Sequence, residues 1–266
     1  MNSSRYIIWN IDPKIFQLGP FEVRWYGLFF ALGIFIAFLL LNRIYKKENI
    51  SIEKLDKLFI YVFPGIIIGA RLGHCLFYDP SFYLTHPVEI IKVWKGGLAS
   101  HGAAIGILIA LYFYSKYEHE KLLTILDRLV FVVPLGGAFI RIGNLFNSEI
   151  IGKPTNVPWA FNFTRIDSLP RHPTQLYEAI AYLSIFILLF SLRKKNNIVE
   201  KSGFITGLFL ILLFAARFLI EFFKENQSSF ENSMPLNMGQ LLSFPFILAG
   251  IFLLLKSIEM KPKLGK

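Results

Sequence analysis

Residues 203–223 read GFITGLFLILLFAARFLIEFF, and this stretch decides the fold class. A helix that crosses about 30 Å of hydrocarbon needs about 20 mostly apolar residues. The stretch has that length, and its apolar residues would cover every face of a helix, which suits lipid rather than one side of a soluble core. Its charged residues are Arg217 and Glu221. The stretch therefore predicts a transmembrane helix that holds two charges at membrane depth.

Six further stretches have the same character, at about 26–45, 58–78, 98–115, 123–144, 176–192 and 239–256. Of the 266 residues, 54% are hydrophobic and 17% charged, whereas soluble domains contain about 25% charged residues. This composition excludes a disordered chain and disfavours a soluble enzyme. The sequence predicts an all-α fold, a polytopic integral membrane protein with seven transmembrane helices in a single membrane-embedded domain over 1–266.

Glycines recur at intervals of four in several of these stretches. The spacing places small residues on one helix face and predicts close contact between helices. The glycines concerned are Gly65, Gly69 and Gly73, Gly102 and Gly106, and Gly203 and Gly207.

The net charge of +10 comes from 28 Lys and Arg against 18 Asp and Glu, and the basic residues alternate by loop. Sixteen lie in the loops after segments one, three and five and at the C-terminus, whereas nine lie in the N-terminal segment and the other loops. Lys and Arg collect in cytoplasmic loops. The pattern predicts the N-terminus outside, the C-terminus inside and an extracytoplasmic loop at about 145–175. The charge thus indicates topology, and nucleic acid is excluded as a partner.

The remaining three basic residues lie inside predicted spans, where a charge costs about 2.5–3.5 kcal/mol on insertion scales. Arg71, Arg141 and Arg217 would each lie about 20 Å from the inner end of the span, at 1.5 Å per residue. The same level is reached on other helices by His101, Glu178 and Tyr26. We therefore expect one polar layer in the outer leaflet, with surplus positive charge that suits the phosphate of an anionic lipid.

The sequence offers no catalytic nucleophile of its own. It contains no HExxH or GxSxG motif, and Cys75 lies in an apolar run where we expect it to be buried. No metal and no cofactor are expected. A candidate base beside anion-binding arginines suits a transferase whose nucleophile belongs to its second substrate. At this point a membrane transporter and a non-catalytic protein that binds anionic phospholipid stay open as alternatives.

Six motifs follow one another between residues 23 and 223. They are VRWYG at 23–27, GARLG at 69–73, KGGLASHG at 95–102, RIGNLFNSEIIG at 141–152, RHPTQLYE at 171–178 and RFLIEFF at 217–223. In content and order they resemble the motifs of the prolipoprotein diacylglyceryl transferases, and the motif at 141–152 is the most specific. Ile140 replaces a glycine usual in that family and Leu145 a usual phenylalanine, and neither change removes a polar group.

The resemblance implies transfer of a diacylglyceryl group from phosphatidylglycerol to the lipobox cysteine thiol of a prolipoprotein signal peptide. A thioether forms and glycerol phosphate is released. The family fold has seven transmembrane helices with the N-terminus outside, which agrees with the loop charges, and no cofactor is implied. We expect a monomer in the bacterial plasma (inner) membrane, with its site in the outer leaflet.

The resemblance also assigns roles to residues. His101 matches the catalytic histidine of the family and would take the thiol proton, while Arg141 and Arg217 would hold the departing phosphate. Alternatively, His101 only hydrogen-bonds the lipid and Arg141 lowers the thiol pKa. Glu221, four residues beyond Arg217, would orient that arginine. The other residues expected to bind substrate are Tyr26, Arg71, Asn144, Asn147, Glu149, Gln175 and Glu178.

Overall fold

The computed structural model of the chain is mostly helical and describes residues 6–19, 21–93, 96–97, 99–193, 202–226 and 229–259. Within these ranges the α-helices are α1 (Trp25–Lys47), α2 (Ile52–Phe77), α3 (Pro80–Thr85), α4 (Pro87–Ile91), α5 (Ser100–Tyr117), α6 (Leu122–Leu129), α7 (Val133–Asn147), α8 (Thr174–Arg193), α9 (Phe204–Ile220) and α10 (Met238–Glu259). Short 3-10 turns occupy Glu221–Phe223 and Ser229–Ser233. Five short strands, which the sequence analysis does not predict, are β1 (Ile7–Trp9), β2 (Lys14–Leu18), β3 (Phe21–Arg24), β4 (Phe161–Phe163) and β5 (Pro170–Arg171).

Five of the described helices are long and apolar enough to cross a membrane. They are α1, α2, α8, α10, and α9 together with the turn that follows it. The pair α6 and α7 would form a sixth span. The predicted segment at 98–115 coincides with α5, which is not in this group of described helices. The chain is therefore a helical protein with five or six candidate spans, and the seventh span and the orientation stay predictions.

The predicted segment at 123–144 is not one straight helix. α6 ends at Leu129, a turn follows, and α7 begins at Val133 after a bend of 49°. Pro134 lies in the first turn of α7. Proline suits that place because the first amide groups of a helix have no partner within it. The sequence pattern shows the apolar length of this segment but not its bend.

Some of the basic residues that predict the orientation lie outside the described residues. They are Arg5, Lys95, Lys194, Lys195, Lys201, Lys261, Lys263 and Lys266. Lys95 and Leu98 of the motif at 95–102 lie outside them as well. The predicted orientation therefore continues to rest on the sequence.

The chain forms two compact units, one from residues 1–40 and 126–266 and one from residues 41–125. In the first unit α7 packs on α8, and α9 packs on both α8 and α10. β1 pairs in parallel with β4, which pairs antiparallel with β5. The indole of Trp9 on β1 donates a hydrogen bond to the carbonyl oxygen of Leu145 (2.9 Å). The strands thereby hold the connection between α7 and α8 against the end of α7.

The second unit is built on the contact between α2 and α5. A Cβ atom on Gly69 would lie 2.3 Å from the carbonyl oxygen of Gly102. In the first unit, a Cβ atom on Gly207 would lie 2.7 Å from the carbonyl oxygen of Gly250. The predicted close contacts are thus confirmed at Gly65, Gly69, Gly73, Gly102, Gly106 and Gly207, whereas Gly203 is the N-cap of α9. Cys75 is buried, as expected.

Asp127 of α6 holds the beginning of α9. Its carboxylate accepts hydrogen bonds from the amides of Gly203 (2.6 Å) and Thr206 (2.9 Å) and from the hydroxyl of Thr206 (2.6 Å). The first amide groups of a helix need acceptors of this kind. Asp127 is buried, and we assign it to the stability of the first unit.

Candidate functional site

The C-terminal end of α7 carries the first part of the site. Arg141 Nη1 donates to Asn144 Oδ1 (3.2 Å), and Asn144 Nδ2 donates to Glu149 Oε2 (3.2 Å). Asn147 donates to the other oxygen of Glu149 (3.1 Å). The helix ends here because Ser148 adopts the left-handed conformation, with φ 56°, which turns the chain out of the helix. Glu149 is thus an exposed carboxylate held by two amides.

The beginning of α8 fixes the segment that follows α7. The buried Gln175 donates its Nε2 hydrogen to the carbonyl oxygen of Glu149 (2.6 Å), and Thr174 donates to that of Ile150 (2.9 Å). The remaining acceptor, Gln175 Oε1, has no hydrogen-bond partner in the described part of the chain. A buried acceptor of this kind suits a donor on a bound molecule.

Buried charges of alternating sign lie beside these amides. Arg141 Nε is 2.8 Å from Glu178 Oε2. Lys224 Nζ is 3.6 Å from Glu178 Oε1 and 3.2 Å from Glu221 Oε2. The exposed fractions are 0% for Glu178, 5% for Glu221 and 3% for Lys224. A buried charge without a partner is strongly unfavourable, and here each of the four charged groups lies beside one of opposite sign.

The contacts of Glu178 are charge contacts rather than aligned hydrogen bonds. Neither of its carboxylate oxygens has a hydrogen-bond partner of good geometry among the described residues. Glu178 therefore keeps acceptor capacity beside Arg141, and a bound donor could use it.

Lys224 is a site residue that the sequence analysis misses, since it counts this lysine among the loop charges. The backbone places it: the amide of Lys153 donates to the carbonyl oxygen of Phe223 (2.8 Å), and that of Glu225 to Ile151 (3.2 Å). These bonds hold the segment after α9 beside the segment after α7. The i,i+3 spacing between Glu221 and Lys224 is the one signal in the sequence that could have suggested the pair.

The expected pairing of Arg217 with Glu221 is not what the structure shows. α9 ends at Ile220, and Glu221, whose amide still donates to the carbonyl oxygen of Arg217, begins a 3-10 turn. Glu221 contacts Lys224 instead. Within the described ranges no carboxylate lies within ion-pair distance of Arg217. Arg217 is thus a partly buried cation without a carboxylate partner among the residues that the structure describes.

Two tyrosines connect these groups. The hydroxyl of Tyr182 on α8 hydrogen-bonds Arg141 and interacts electrostatically with Arg217. The hydroxyl of Tyr26 on α1 interacts electrostatically with Glu149 and Arg141. The ring of Tyr26 packs against Gly143, where a Cβ atom would lie 2.9 Å from Cδ2 of the ring. Tyr182 is a second residue that the sequence analysis misses, because a tyrosine in an apolar helix gives no distinguishing signal.

The structure brings nine of the predicted site residues together in the first unit, and we call them, with Tyr182 and Lys224, the polar cluster. The nine are Tyr26, Arg141, Asn144, Asn147, Glu149, Gln175, Glu178, Arg217 and Glu221. The other two, His101 and Arg71, belong to the second unit. Proximity does not assign a role to any of them, so their roles stay predictions.

In the second unit, His101 lies in the first turn of α5 and is exposed. Arg71 of α2 is 4% exposed, and its guanidinium donates to backbone carbonyl oxygens. The acceptors are Glu89 (2.6 Å), Ile90 (2.8 Å), Gly96 (2.6 Å) and Gly97 (3.2 Å). Four of its five N–H groups are therefore already used. This favours a role for Arg71 in holding the chain between α4 and α5, rather than a phosphate.

The connection between α7 and α8 has its own buried cation. Arg171 Nε is 3.0 Å from Asp167 Oδ2, and its Nη1 contacts Glu225 Oε2 (2.7 Å) and the carbonyl oxygen of Gly152 (3.1 Å). The hydrogen bond from Arg171 lowers the pKa of Asp167. Burial lowers the pKa of the neighbouring His172, so this imidazole favours its neutral form. Arg171 ties three segments of the chain together.

No group of three or more His, Cys, Asp or Glu side chains in the described ranges could hold a metal ion. The polar cluster offers cations, carboxylates, amides and hydroxyls. Such groups can bind an anion and orient its hydroxyl groups.

Comparison with known proteins shows extensive similarity. The family profile described as "Prolipoprotein diacylglyceryl transferase" matches residues 13–256. Proteins named phosphatidylglycerol–prolipoprotein diacylglyceryl transferase include one from Chloroherpeton thalassium, 48% identical over 260 residues, which covers 97% of each chain. One from Tolumonas auensis is 49% identical over 258 residues, covering 97% of this chain and 100% of its own. One from Bacteroides fragilis is 47% identical over 258 residues, covering 92% and 93%.

Proposed function

The chain belongs to the prolipoprotein diacylglyceryl transferase family, and from this premise we propose that it transfers the diacylglyceryl group of phosphatidylglycerol to the lipobox cysteine of a prolipoprotein. The resemblance given by the six sequence motifs is thereby confirmed. The chain is a transferase of lipoprotein lipidation and a helical, multi-pass membrane protein. Its substrates are phosphatidylglycerol and a prolipoprotein, and no nucleic acid takes part.

The proposal includes the finer topology. It has seven transmembrane helices, with α5 as the seventh beside the five apolar helices and the bent pair. The N-terminus is outside and the C-terminus inside the bacterial inner membrane, and the chain acts as a monomer and a single domain. The loop at about 145–175 is extracytoplasmic, and the site lies in the outer leaflet. The loop charges and the depth of the three arginines in the sequence support this arrangement.

One observation carries the assignment of the site: Arg217 is a partly buried cation without a carboxylate partner in the described chain, next to a cluster whose other buried charges are paired. An unpaired cation at membrane depth favours an anionic ligand. A guanidinium suits phosphate, because it offers parallel donors to two oxygens. The head group of phosphatidylglycerol supplies this phosphate.

The reaction requires a thiolate, a leaving phosphate and a way to stabilise the charge that moves between them. The thiol loses its proton to a base, and the sulfur attacks the glyceryl carbon that carries the phosphate oxygen. The carbon–sulfur bond forms as the carbon–oxygen bond breaks, and the electron pair leaves with the phosphate of glycerol phosphate. Arg217 and Arg141 stabilise the developing charge on that oxygen.

The other residues take supporting roles in this proposal. His101 is the base, or it hydrogen-bonds the lipid while Arg141 lowers the thiol pKa. Glu178 holds Arg141. Tyr26 and the free acceptor of Gln175 bind hydroxyl groups of the glycerol. Asn144, Asn147 and Glu149 shape the entrance to the site. Glu221 belongs to the site through Lys224, and Arg71 supports the chain before α5.

The test is a transfer assay with purified protein, phosphatidylglycerol vesicles and a lipobox peptide. We expect the peptide mass to rise by one diacylglyceryl unit, with glycerol phosphate released in equal amount, and a Cys→Ser peptide to stay unmodified. Arg217→Gln should abolish transfer, whereas Arg43→Gln, which removes an exposed arginine of α1, should not. If the wild-type protein binds the lipid but never modifies the peptide, the chain is a phospholipid-binding protein and the proposal fails.

A further inference from the structure

We propose that Lys224 is a positioning residue that keeps Arg217 available for the phosphate, by occupying the carboxylate of Glu221. The inference rests on the proposed function and names the residue that sets the charge of its site. Lys224 itself is 3% exposed, so it acts through its buried neighbours rather than by contact with solvent.

The carboxylate of Glu221 pairs with Lys224 rather than with Arg217. Its carboxylate has two candidate cations nearby in sequence, Arg217 on α9 and Lys224 after the 3-10 turn. Lys224 Nζ lies 3.2 Å from Glu221 Oε2, whereas Arg217 forms no ion pair in the described chain. Glu221 is 5% exposed, and a buried carboxylate without a cationic partner is strongly unfavourable. Arg141 also interacts electrostatically with Glu221 but is held by Glu178 (2.8 Å), so Arg217, four residues before Glu221, is the cation left to replace Lys224.

The buried part of the polar cluster contains one more cation than carboxylates. The two buried carboxylates, Glu178 and Glu221, face three cations, Arg141, Lys224 and Arg217. One positive charge therefore remains, and it belongs to Arg217. If Lys224 were neutral, Arg141 and Arg217 would be matched by the two carboxylates, and no cation would remain for an anionic head group. Glu149, the other carboxylate of the cluster, is exposed and is held by amides.

Glu221 and Lys224 are both held in place by close contacts with neighbouring segments. Glu221 cannot readily follow a moving partner, because a Cβ atom on Gly239 would already lie 2.5 Å from Glu221 Cδ. The carboxylate therefore fits closely against the first turn of α10, where the positive end of the helix dipole also favours it. Lys224 is held equally firmly, since Gly152 forms an isolated antiparallel bridge with it.

The experiment compares single and double variants in the transfer assay. Lys224→Met removes the charge and keeps the length of the side chain. We expect its KM for phosphatidylglycerol to rise at least about 10-fold, the effect of losing a hydrogen bond to a charged group, with a smaller change in kcat. Lys224→Arg should stay close to wild type, because it keeps the charge.

Two double variants of equal net charge separate positioning from general electrostatics. In Lys224→Met with Glu221→Gln, Arg217 has no new partner, so KM should return to within about 3-fold of the wild-type value. This remaining change in KM is smaller than the effect of losing one typical hydrogen bond. In Lys224→Met with Glu149→Gln, Arg141 keeps Glu178 and Glu221 still captures Arg217, so KM should stay high. Equal recovery in both would show that only net charge matters and would overturn the proposal.

Thermal midpoints of all four variants, recorded at the assay pH, show whether each is folded at the assay temperature. If Lys224→Met does not fold, the comparison between the two double variants and Lys224→Arg still decides the question. An unchanged KM in a folded Lys224→Met variant would also overturn the inference. An inactive wild type, in contrast, would overturn the proposed function itself.

Discussion

The contact between Gly143 and Tyr26 gives the sharpest prediction from the structure. A Cβ atom on Gly143 would lie 2.9 Å from Cδ2 and 3.2 Å from Cα of Tyr26. Carbon atoms in contact prefer about 3.5–4.0 Å, so Gly143→Ala must separate α7 from α1 by roughly 0.6 Å. The backbone Cα of Tyr26 is part of the contact, so turning the ring aside does not relieve it.

Two effects of opposite sign then act on stability. Overpacking costs about 1–3 kcal/mol, while replacing glycine by alanine inside a helix gains up to about 1 kcal/mol. We expect Gly143→Ala to lower the free energy of unfolding by up to about 2 kcal/mol. Because Arg141 and Asn144 flank Gly143, the displacement also reaches the polar cluster. Misplacement by about 1 Å can cost about 100-fold in rate, so we expect a loss of about 10-fold in kcat/KM.

Gly136→Ala is the matched control, since it lies on the same helix and a Cβ atom there meets no atom within 4 Å. It should keep full activity and raise the thermal midpoint slightly. The measurements are the transfer assay and thermal unfolding in detergent for both variants. If Gly143→Ala matches Gly136→Ala in both, the position of Tyr26 against α7 does not govern the site, and the reasoning is refuted.

Three further predictions follow from single contacts. Asp127→Ala removes the acceptor for the first amides of α9 and should lower the free energy of unfolding by about 1–2 kcal/mol. Transfer should persist below the melting temperature. As a control, Asp56→Ala, at an exposed position, should change neither stability nor transfer. Arg171 holds the pKa of Asp167 below its ordinary value of about 3.9. The ion pair therefore stabilises the fold fully above about pH 3.9, and this stabilisation is lost as the pH falls through the lowered pKa. Asp167→Asn should therefore lessen the acid-induced drop in thermal midpoint. The lysine of Arg71→Lys cannot donate to all four carbonyl oxygens that Arg71 binds, so proteolytic cleavage between α4 and α5 should become faster. Cleavage at the wild-type rate would contradict the role of Arg71 in holding this part of the chain.

The sequence predicts the helical membrane fold because apolar length and composition depend on the chain alone. The apolar stretches at 26–45, 176–192 and 239–256 each fall within a long helix that could cross a membrane. The bend before Val133 escapes prediction, since a proline is compatible both with a helix start and with a kink. The small strands escape as well, because β1 pairs with β4 across more than 150 residues and neither has a strong local pattern.

The polar cluster is predictable as a set of residues but not as a set of pairs. A charge inside an apolar stretch stands out in any membrane protein, and this signal identifies Arg141 and Arg217. Lys224 lies just beyond such a stretch, where a lysine is usually solvated. Its burial depends on hydrogen bonds that its neighbours Phe223 and Glu225 form with Lys153 and Ile151 of a distant segment. Those contacts are set by tertiary structure, which one sequence does not display.

The chain after Ile220 determines which cation pairs with Glu221. In a continuous α-helix, residues four apart are neighbours, and Arg217 would then pair with Glu221. The backbone keeps this relation, since the amide of Glu221 donates to the carbonyl oxygen of Arg217, but a 3-10 turn over Glu221–Phe223 and an extended Lys224 follow. Glu221 then faces Lys224 rather than Arg217. The partner of Glu221 is therefore set by the tertiary contacts that place Lys224, and Arg217 has no carboxylate partner among the described residues.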